Sequence, residues 1–184
     1  MRQVTSTPPP FKGVGVHSTT GGGVLLSGLC LGLLLLCSCA SNNSNNIAGI
    51  ANVELGLGYL EAGNMVRAKS ALQHALQLAP NIEETHTAMA YLLQQVGEIN
   101  LADKEYQQAI KFSKQPTASY NNYGVFLCKQ RKFVAADIMF NKALQDKYYP
   151  NIANVYNNAA SCARENKQSA QAKQYAEAAS RHSL

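Results

Sequence analysis

In this chain of 184 residues, cysteine is the residue type that could most readily take part in chemistry. The residues Leu36-Cys37-Ser38-Cys39 end an apolar run that begins at Val24, and the basic residues Arg2 and Lys12 precede that run. Basic residues, an apolar run and then small residues are typical of an export signal. The run is also shorter than the roughly 20 residues that a membrane-spanning helix needs. We therefore predict a signal peptide over residues 1–38.

The end of this segment resembles the lipobox of bacterial lipoproteins, in which a small residue precedes a cysteine that receives a diacylglyceryl group. Ser38 is the small residue, so Cys39 is the predicted lipid attachment site, whereas Cys37 would follow the bulky Leu36. Acyl chains gain about 0.8 kcal/mol per buried methylene, so two or three chains hold a protein at a membrane. The alternative is ordinary secretory cleavage without a lipid.

The residues after Cys39 bear on localisation. Ala40 rather than aspartate follows Cys39, which by resemblance to enterobacterial-type sorting implies the outer membrane. The serines and asparagines that come next are typical of a polar linker. We expect residues 39–48 to form a lipidated N-terminus and a polar tether that keeps the following domain close to the lipid surface.

Two further cysteines, Cys128 and Cys162, follow the predicted lipid site. An oxidising compartment would permit a disulfide between them if their α-carbons approach within about 7 Å. Two buried free thiols are the alternative. The sequence offers no catalytic triad, no metal-spaced Cys or His cluster and no phosphate-binding glycine loop. We therefore expect a non-enzymatic protein without a cofactor, a metal or a small-molecule substrate.

The charge is mildly basic, with a formal net charge of +5 that includes Arg2 and Lys12 of the predicted signal. The basic residues are scattered among the predicted helices rather than clustered on one of them. Nucleic-acid binding is therefore not expected, and the charge favours an acidic partner only weakly.

The rest of the sequence repeats itself at a spacing of 34 residues. Small residues recur at Ala68, Ala102 and Ala136, and large ones recur at the positions Leu72, Tyr106 and Phe140. This spacing is typical of the tetratricopeptide repeat, a helix-turn-helix unit that buries its apolar face only by stacking on its neighbours. We predict an all-α tetratricopeptide superhelix, an α-solenoid of eight helices over residues 49–184. The four repeats are expected near residues 49–82, 83–116, 117–150 and 153–184.

The first helix of each repeat is expected to line an inner groove. In the first repeat this groove would be apolar, and exposed apolar patches mark interaction sites. The predicted groove residues are Ile50, Val53, Leu57, Leu60, Tyr91, Asn121 and Val125. Coverage of the apolar stripe by the tether or by a neighbouring helix is the alternative. Because Val53 and Leu57 are apolar, the basic clamp with which some co-chaperones hold a C-terminal carboxylate is excluded.

Three segments resemble the type IV pilus biogenesis lipoproteins of the PilF/PilW family. These segments are residues 120–128 (YNNYGVFLC), 55–60 (LGLGYL) and 101–106 (LADKEY). The resemblance covers residues 51 to about 180 and includes the lipidated leader. It implies a pilotin, an outer-membrane lipoprotein on the periplasmic face that helps the pilus secretin to reach the membrane, form its ring and remain stable. A general periplasmic scaffold that tethers cell-wall enzymes is the alternative function.

Overall fold

The computed structural model describes residues 37–183, with side chains from residue 43 onward, and this part of the chain contains eight α-helices. The helices are α1 (Cys37–Glu61), α2 (Met65–Leu78), α3 (Glu83–Gln95), α4 (Ile99–Phe112), α5 (Thr117–Lys129), α6 (Phe133–Ala143), α7 (Ile152–Glu165) and α8 (Ser169–Arg181). Most of the predicted signal peptide, residues 1–36, lies outside the described residues. Across residues 37–183, every helix is too short or too polar to cross a bilayer.

Within each repeat the two helices approach closely because a small residue faces a large one. A Cβ atom on Gly56 of α1 would lie 2.6 Å from the side chain of Leu72 on α2. Two repeat spacings after Gly56, a Cβ on Gly124 of α5 would lie 2.8 Å from the ring of Phe140 on α6. Such distances leave no space for any side chain larger than glycine. The alternation of small and large residues therefore produces the helix pairs, and the predicted all-α tetratricopeptide fold is confirmed.

The turns inside the repeats share one left-handed residue. Gly63 and Gly97 occupy this position in the first two repeats with φ angles of 73° and 81°, and Arg131 and Lys167 occupy it in the last two with φ of 60°. Glycine adopts this conformation freely, whereas an L-residue with a side chain loses about 1–2 kcal/mol there. Four helix pairs thus turn in the same way, although only two of the turns contain glycine.

The first helices of successive repeats lie next to each other and form one layer. In this layer α1 contacts α3, α3 contacts α5, and α5 contacts α7. The second helices α2, α4 and α6 pack on the first helix of their own repeat and on that of the next repeat. Within residues 37–183 the backbones of successive second helices lie farther apart than those of successive first helices, and α8 reaches α6 through side chains, with the Tyr175 hydroxyl donating to Asp137 Oδ1 at 2.9 Å. Because the first helices are closer together than the second helices, the layer of first helices is the inner, concave side of the superhelix.

Aromatic residues fill the centre of the core between the second and third repeats. Phe126 of α5 is fully buried, and its ring lies 5.0 Å from Tyr106 of α4 and 6.1 Å from Tyr123, centroid to centroid. Aromatic pairs at such distances add about 0.5–1.5 kcal/mol beyond the burial of their area. The interface between these repeats is therefore a main source of stability.

Polar side chains link neighbouring repeats at defined points. The Ser119 hydroxyl donates a hydrogen bond to the carboxylate of Glu83, across α5 and α3. The Tyr123 hydroxyl donates to Asp103 Oδ1 at 3.0 Å, across α5 and α4. A half-buried polar group that loses its partner costs free energy, so these pairs favour one register of stacking.

The first helix is longer than the sequence suggested, because α1 begins at Cys37 rather than near residue 49. The prediction of a polar tether over residues 39–48 is therefore wrong about its conformation, since this segment is helical. Between Cys37 and Ala48 there is no proline or glycine to break the helix. The Asn52 side chain also donates a hydrogen bond to the Ala48 carbonyl oxygen at 2.8 Å.

Candidate docking groove

The inner layer presents a row of apolar side chains that repeats along the superhelix. Leu57 of α1, Tyr91 of α3 and Val125 of α5 are separated by one repeat spacing each, and all three are half-buried at the edge of the core. We call these three residues the inner row. Their bases contact the core while part of each side chain faces solvent, so a partner that covers the row would bury further apolar surface.

Ile50 extends the apolar surface along α1, where it is 36% exposed. It lies seven residues before Leu57, which places both side chains on the same face of the helix. At the equivalent positions of α3 and α5 the chain has Glu84 and Ala118. Over the first repeat the groove therefore has one more apolar residue than over the second and third repeats.

Val53 and Leu60, which were predicted to line the groove, are instead part of the core, with exposures of 2% and 9%. Their positions explain the error. They share a helical face with Gly49 and Gly56, and those glycines touch Ala79 and Leu72 of α2. This face of α1 is turned towards its own repeat partner, so neither residue is available to a ligand.

Asn121 is likewise buried, with an exposure of 8%, although it was predicted to face the groove. Its Oδ1 accepts a hydrogen bond of 3.0 Å from Nδ2 of Asn158 on α7. Asn121 lies on the same face of α5 as Gly124, which contacts Phe140 of α6. The amide thus joins two repeats rather than binding an extended peptide.

The tyrosines behind the inner row are held in their neutral form. Burial raises the pKa of Tyr106 well above its usual value, and the neighbouring Tyr91 raises it further. Burial is also the main reason that the pKa of Tyr123 is raised. The Tyr106 hydroxyl donates to Gln94 Oε1 at 3.3 Å. Both hydroxyls are therefore un-ionised at neutral pH.

A disulfide joins the third and fourth repeats at one end of the groove. Cys128 on α5 and Cys162 on α7 are bonded, and their Cα atoms are 5.8 Å apart. This is the first of the two alternatives that the sequence left open. The bond fixes the end of α5 against α7 on the inner layer, just beyond Val125.

The remaining predicted site is Cys39, which lies in the first turns of α1, while its side chain is outside the described part of the structure. Over residues 37–183 no group of three His, Cys, Asp or Glu side chains is placed to hold a metal ion.

No family model matches the chain. Among curated proteins, the Type IV pilus assembly protein PilF of Pseudomonas aeruginosa is 38% identical over 127 residues, which are 69% of this chain and 50% of that protein. An uncharacterised protein of Haemophilus influenzae is 38% identical over 124 residues, which are 67% of this chain and 69% of that protein. The solved structure of P. aeruginosa PilF superposes with a TM-score of 0.70 at 36% identity, and covers 76% of this chain and 63% of that one.

The chain belongs to the PilF/PilW-like tetratricopeptide-repeat proteins. The crystal structure of PilW, a widely conserved type IV pilus biogenesis factor, supports the fold with a TM-score of 0.66 at 23% identity, over 71% of this chain and 60% of PilW. The PilF/PilW-like chain spans half the length of the curated P. aeruginosa relative.

Sequence reasoning overlooked one exposed residue of the groove in this PilF/PilW-like protein. Lys129 lies four residues after Val125 and thus on the same face of α5, where it is exposed. The corresponding residue of α3 is Gln95, and that of α1 is Glu61. The sequence could have identified these three positions, because each lies one helical turn after a residue of the inner row.

Proposed function

We propose that this protein is an outer-membrane lipoprotein of type IV pilus biogenesis that binds the pilus secretin in its inner groove. There it assists the localisation, multimerisation or stability of the secretin on the periplasmic face. Membership of the PilF/PilW-like proteins supports the pathway. The observation that carries the binding role is the inner row of Leu57, Tyr91 and Val125, because it offers aligned apolar surface on three neighbouring helices.

The role is one of binding and targeting, and we assign no catalytic step to the chain. A secretin segment would bury the exposed parts of the inner row and of Ile50. The burial of apolar surface stabilises a complex by about 25 cal/mol per Å². The acyl chains on Cys39 would supply the address by holding the protein at the membrane. The groove would supply the contact with the secretin subunit.

The groove is tested with Leu57→Glu. The glutamate would place an unpaired charge in the apolar row, so the affinity for the purified secretin of the same bacterium should fall by at least about tenfold, measured by surface plasmon resonance. The matched control is Leu55→Glu, because Leu55 is 49% exposed on the same helix but lies outside the row. Circular dichroism should show both variants folded. Equal affinities for Leu57→Glu and Leu55→Glu would contradict the groove assignment.

The pathway is tested by deleting the gene and counting secretin rings in isolated outer membranes. We expect the rings to be lost and to return when the wild-type gene, but not the Leu57→Glu gene, is supplied. Unchanged rings, together with co-purification of peptidoglycan hydrolases, would instead support a general periplasmic scaffold.

The lipid anchor is tested with Cys39→Ser. Cells grown with labelled palmitate should label the wild-type protein, and the substitution should abolish both the label and the outer-membrane fractionation, because the acylated thiol is missing. Cys37→Ser is the control and should keep the label. A label that persists in Cys39→Ser and disappears in Cys37→Ser would move the anchor to Cys37, and no label in the wild type would mean cleavage without a lipid.

A further inference from the structure

Charge is distributed unevenly between the two halves of the superhelix. Residues 49–116, the first two repeats, contain five basic and seven acidic residues, whereas residues 117–184 contain nine basic and four acidic ones. The modest overall charge therefore conceals a negative half and a positive half. A surface of the positive half would attract an anionic ligand.

Five of these basic residues come from two neighbouring turns. All first helices run in the same direction, so the turns inside the repeats lie at the same edge of the superhelix. The basic edge, as we call it, comprises Lys129, Arg131, Lys132, Arg164 and Lys167. All five are exposed, and none forms an ion pair with another residue in the range 37–183. Within residues 129–132 and 164–167, the acidic residue is Glu165.

The disulfide holds the two turns of the basic edge together. Cys128 immediately precedes Lys129, Cys162 lies two residues before Arg164, and the Cα atoms of the bonded cysteines are 5.8 Å apart. The Glu165 carboxylate lies beside this bond, 3.9 Å from Cys128 Sγ. A covalent link thus brings the basic side chains of two repeats to one place. Less conformational entropy is therefore lost when a ligand binds both turns.

Two residues of the basic edge occupy an unfavourable backbone conformation. Arg131 and Lys167 take the left-handed position, with φ of 60°, at which the first two repeats have Gly63 and Gly97. The Arg131 guanidinium also lies over the Phe133 ring, 5.4 Å from its centroid. These two turns therefore carry a basic side chain where the turns of the first two repeats carry none.

The basic edge is continuous with the groove. Val125 of the inner row and Lys129 lie four residues apart on α5, on the same helical face. A chain lying along Leu57, Tyr91 and Val125 would reach Lys129 and then the other basic side chains. The two negative repeats would lie under the apolar part of that chain.

We propose that the groove binds a protein segment that is apolar over the first two repeats and carries a cluster of carboxylates over the basic edge. This inference rests on the proposed function, since it specifies the partner segment for the same groove. A protein segment is favoured over anionic lipid because the basic edge lies in the last two repeats, at the opposite end of the superhelix from α1 and Cys39.

The test uses two fluorescent peptides that share an apolar half and differ in the other half, which is glutamate in one and glutamine in the other. We expect the wild-type protein to bind the glutamate peptide about tenfold more tightly at low salt, by fluorescence anisotropy. Raising the salt to about 0.5 M should remove most of the difference, because exposed charges are screened. Amide shifts in NMR spectra should move at residues 129–132 and 164–167.

Lys129→Glu/Lys132→Glu should abolish the preference for glutamate. The matched control is Lys114→Glu/Lys147→Glu, which changes the same number of exposed charges in the turns at the other edge and should keep the preference. Equal loss in both variants, no preference in the wild type, or stronger binding to phosphatidylglycerol vesicles than to the glutamate peptide would overturn the inference. If the wild-type protein keeps the peptide preference but does not bind the secretin, the proposed function alone would be refuted.

Discussion

Replacing Phe126 with alanine should lower the free energy of unfolding by about 3–5 kcal/mol, because the substitution leaves a cavity at the centre of the core. The phenylalanine is completely buried, and its ring is tilted against that of Tyr106 and stacked on that of Tyr123. Single domains are stable by only about 5–15 kcal/mol, so this loss would be a large fraction of the total. Urea unfolding followed by circular dichroism measures it.

The control for this experiment is Val134→Ala. Val134 is an apolar residue of the same repeat that is 77% exposed, so its truncation should change the unfolding free energy by less than about 0.5 kcal/mol. Similar losses for Phe126→Ala and Val134→Ala would mean that the aromatic cluster is not the centre of the core.

Removal of the disulfide should have the second largest effect. The variant Cys128→Ala/Cys162→Ala should unfold about 3–4 kcal/mol more easily than the oxidised wild type, because the bond closes a loop with a sequence separation of 34. Alanine is the suitable replacement, since both cysteines are buried and a serine hydroxyl would need a partner. Urea unfolding without a reductant measures the difference.

Reductant provides the internal control for the disulfide. In the presence of dithiothreitol, the wild type should lose most of its advantage over the alanine variant, whereas the variant should be unaffected. Labelling of the unfolded, unreduced wild type with a thiol reagent should find neither Cys128 nor Cys162. Free thiols at both positions would contradict the bond.

The repeat architecture was predictable because its signals are local and recur. The small residues at Gly56 and Gly124, and the large ones opposite them, mark where two helices cross, and the glycines Gly63 and Gly97 mark the turns. These residues act within one repeat, so the sequence spacing alone reveals them. The eight helices followed from this spacing.

The errors concern which side of a helix meets which neighbour. Val53 and Leu60 differ from Leu57 by only three or four residues, and the rotation of α1 about its axis decides which of them is buried. That rotation is set in part by the contact of Gly49 with Ala79, which the repeat spacing does not display. The sequence therefore predicted all three residues of the inner row, but it could not separate them from the buried Val53 and Leu60.

The early start of α1 was missed for a different reason. Serine and asparagine are weak helix formers, so residues 41–46 resembled a linker. Their propensity costs only tenths of a kcal/mol per residue, and α1 continues from a long packed segment that offsets this cost. Composition indicated a tether, and the absence of any breaking residue allowed a helix.

The continuous α1 would have a mechanical consequence if the proposed lipid is attached at Cys39. A helix rises 1.5 Å per residue, so the ten residues from Cys39 to Gly49 span about 15 Å, compared with about 33 Å for an extended leash. A rigid helix of this kind would set both the distance of the superhelix from the membrane and its orientation relative to Cys39. The bound segment would therefore be held at a nearly constant height above the lipid headgroups, whereas a flexible linker would let this height vary.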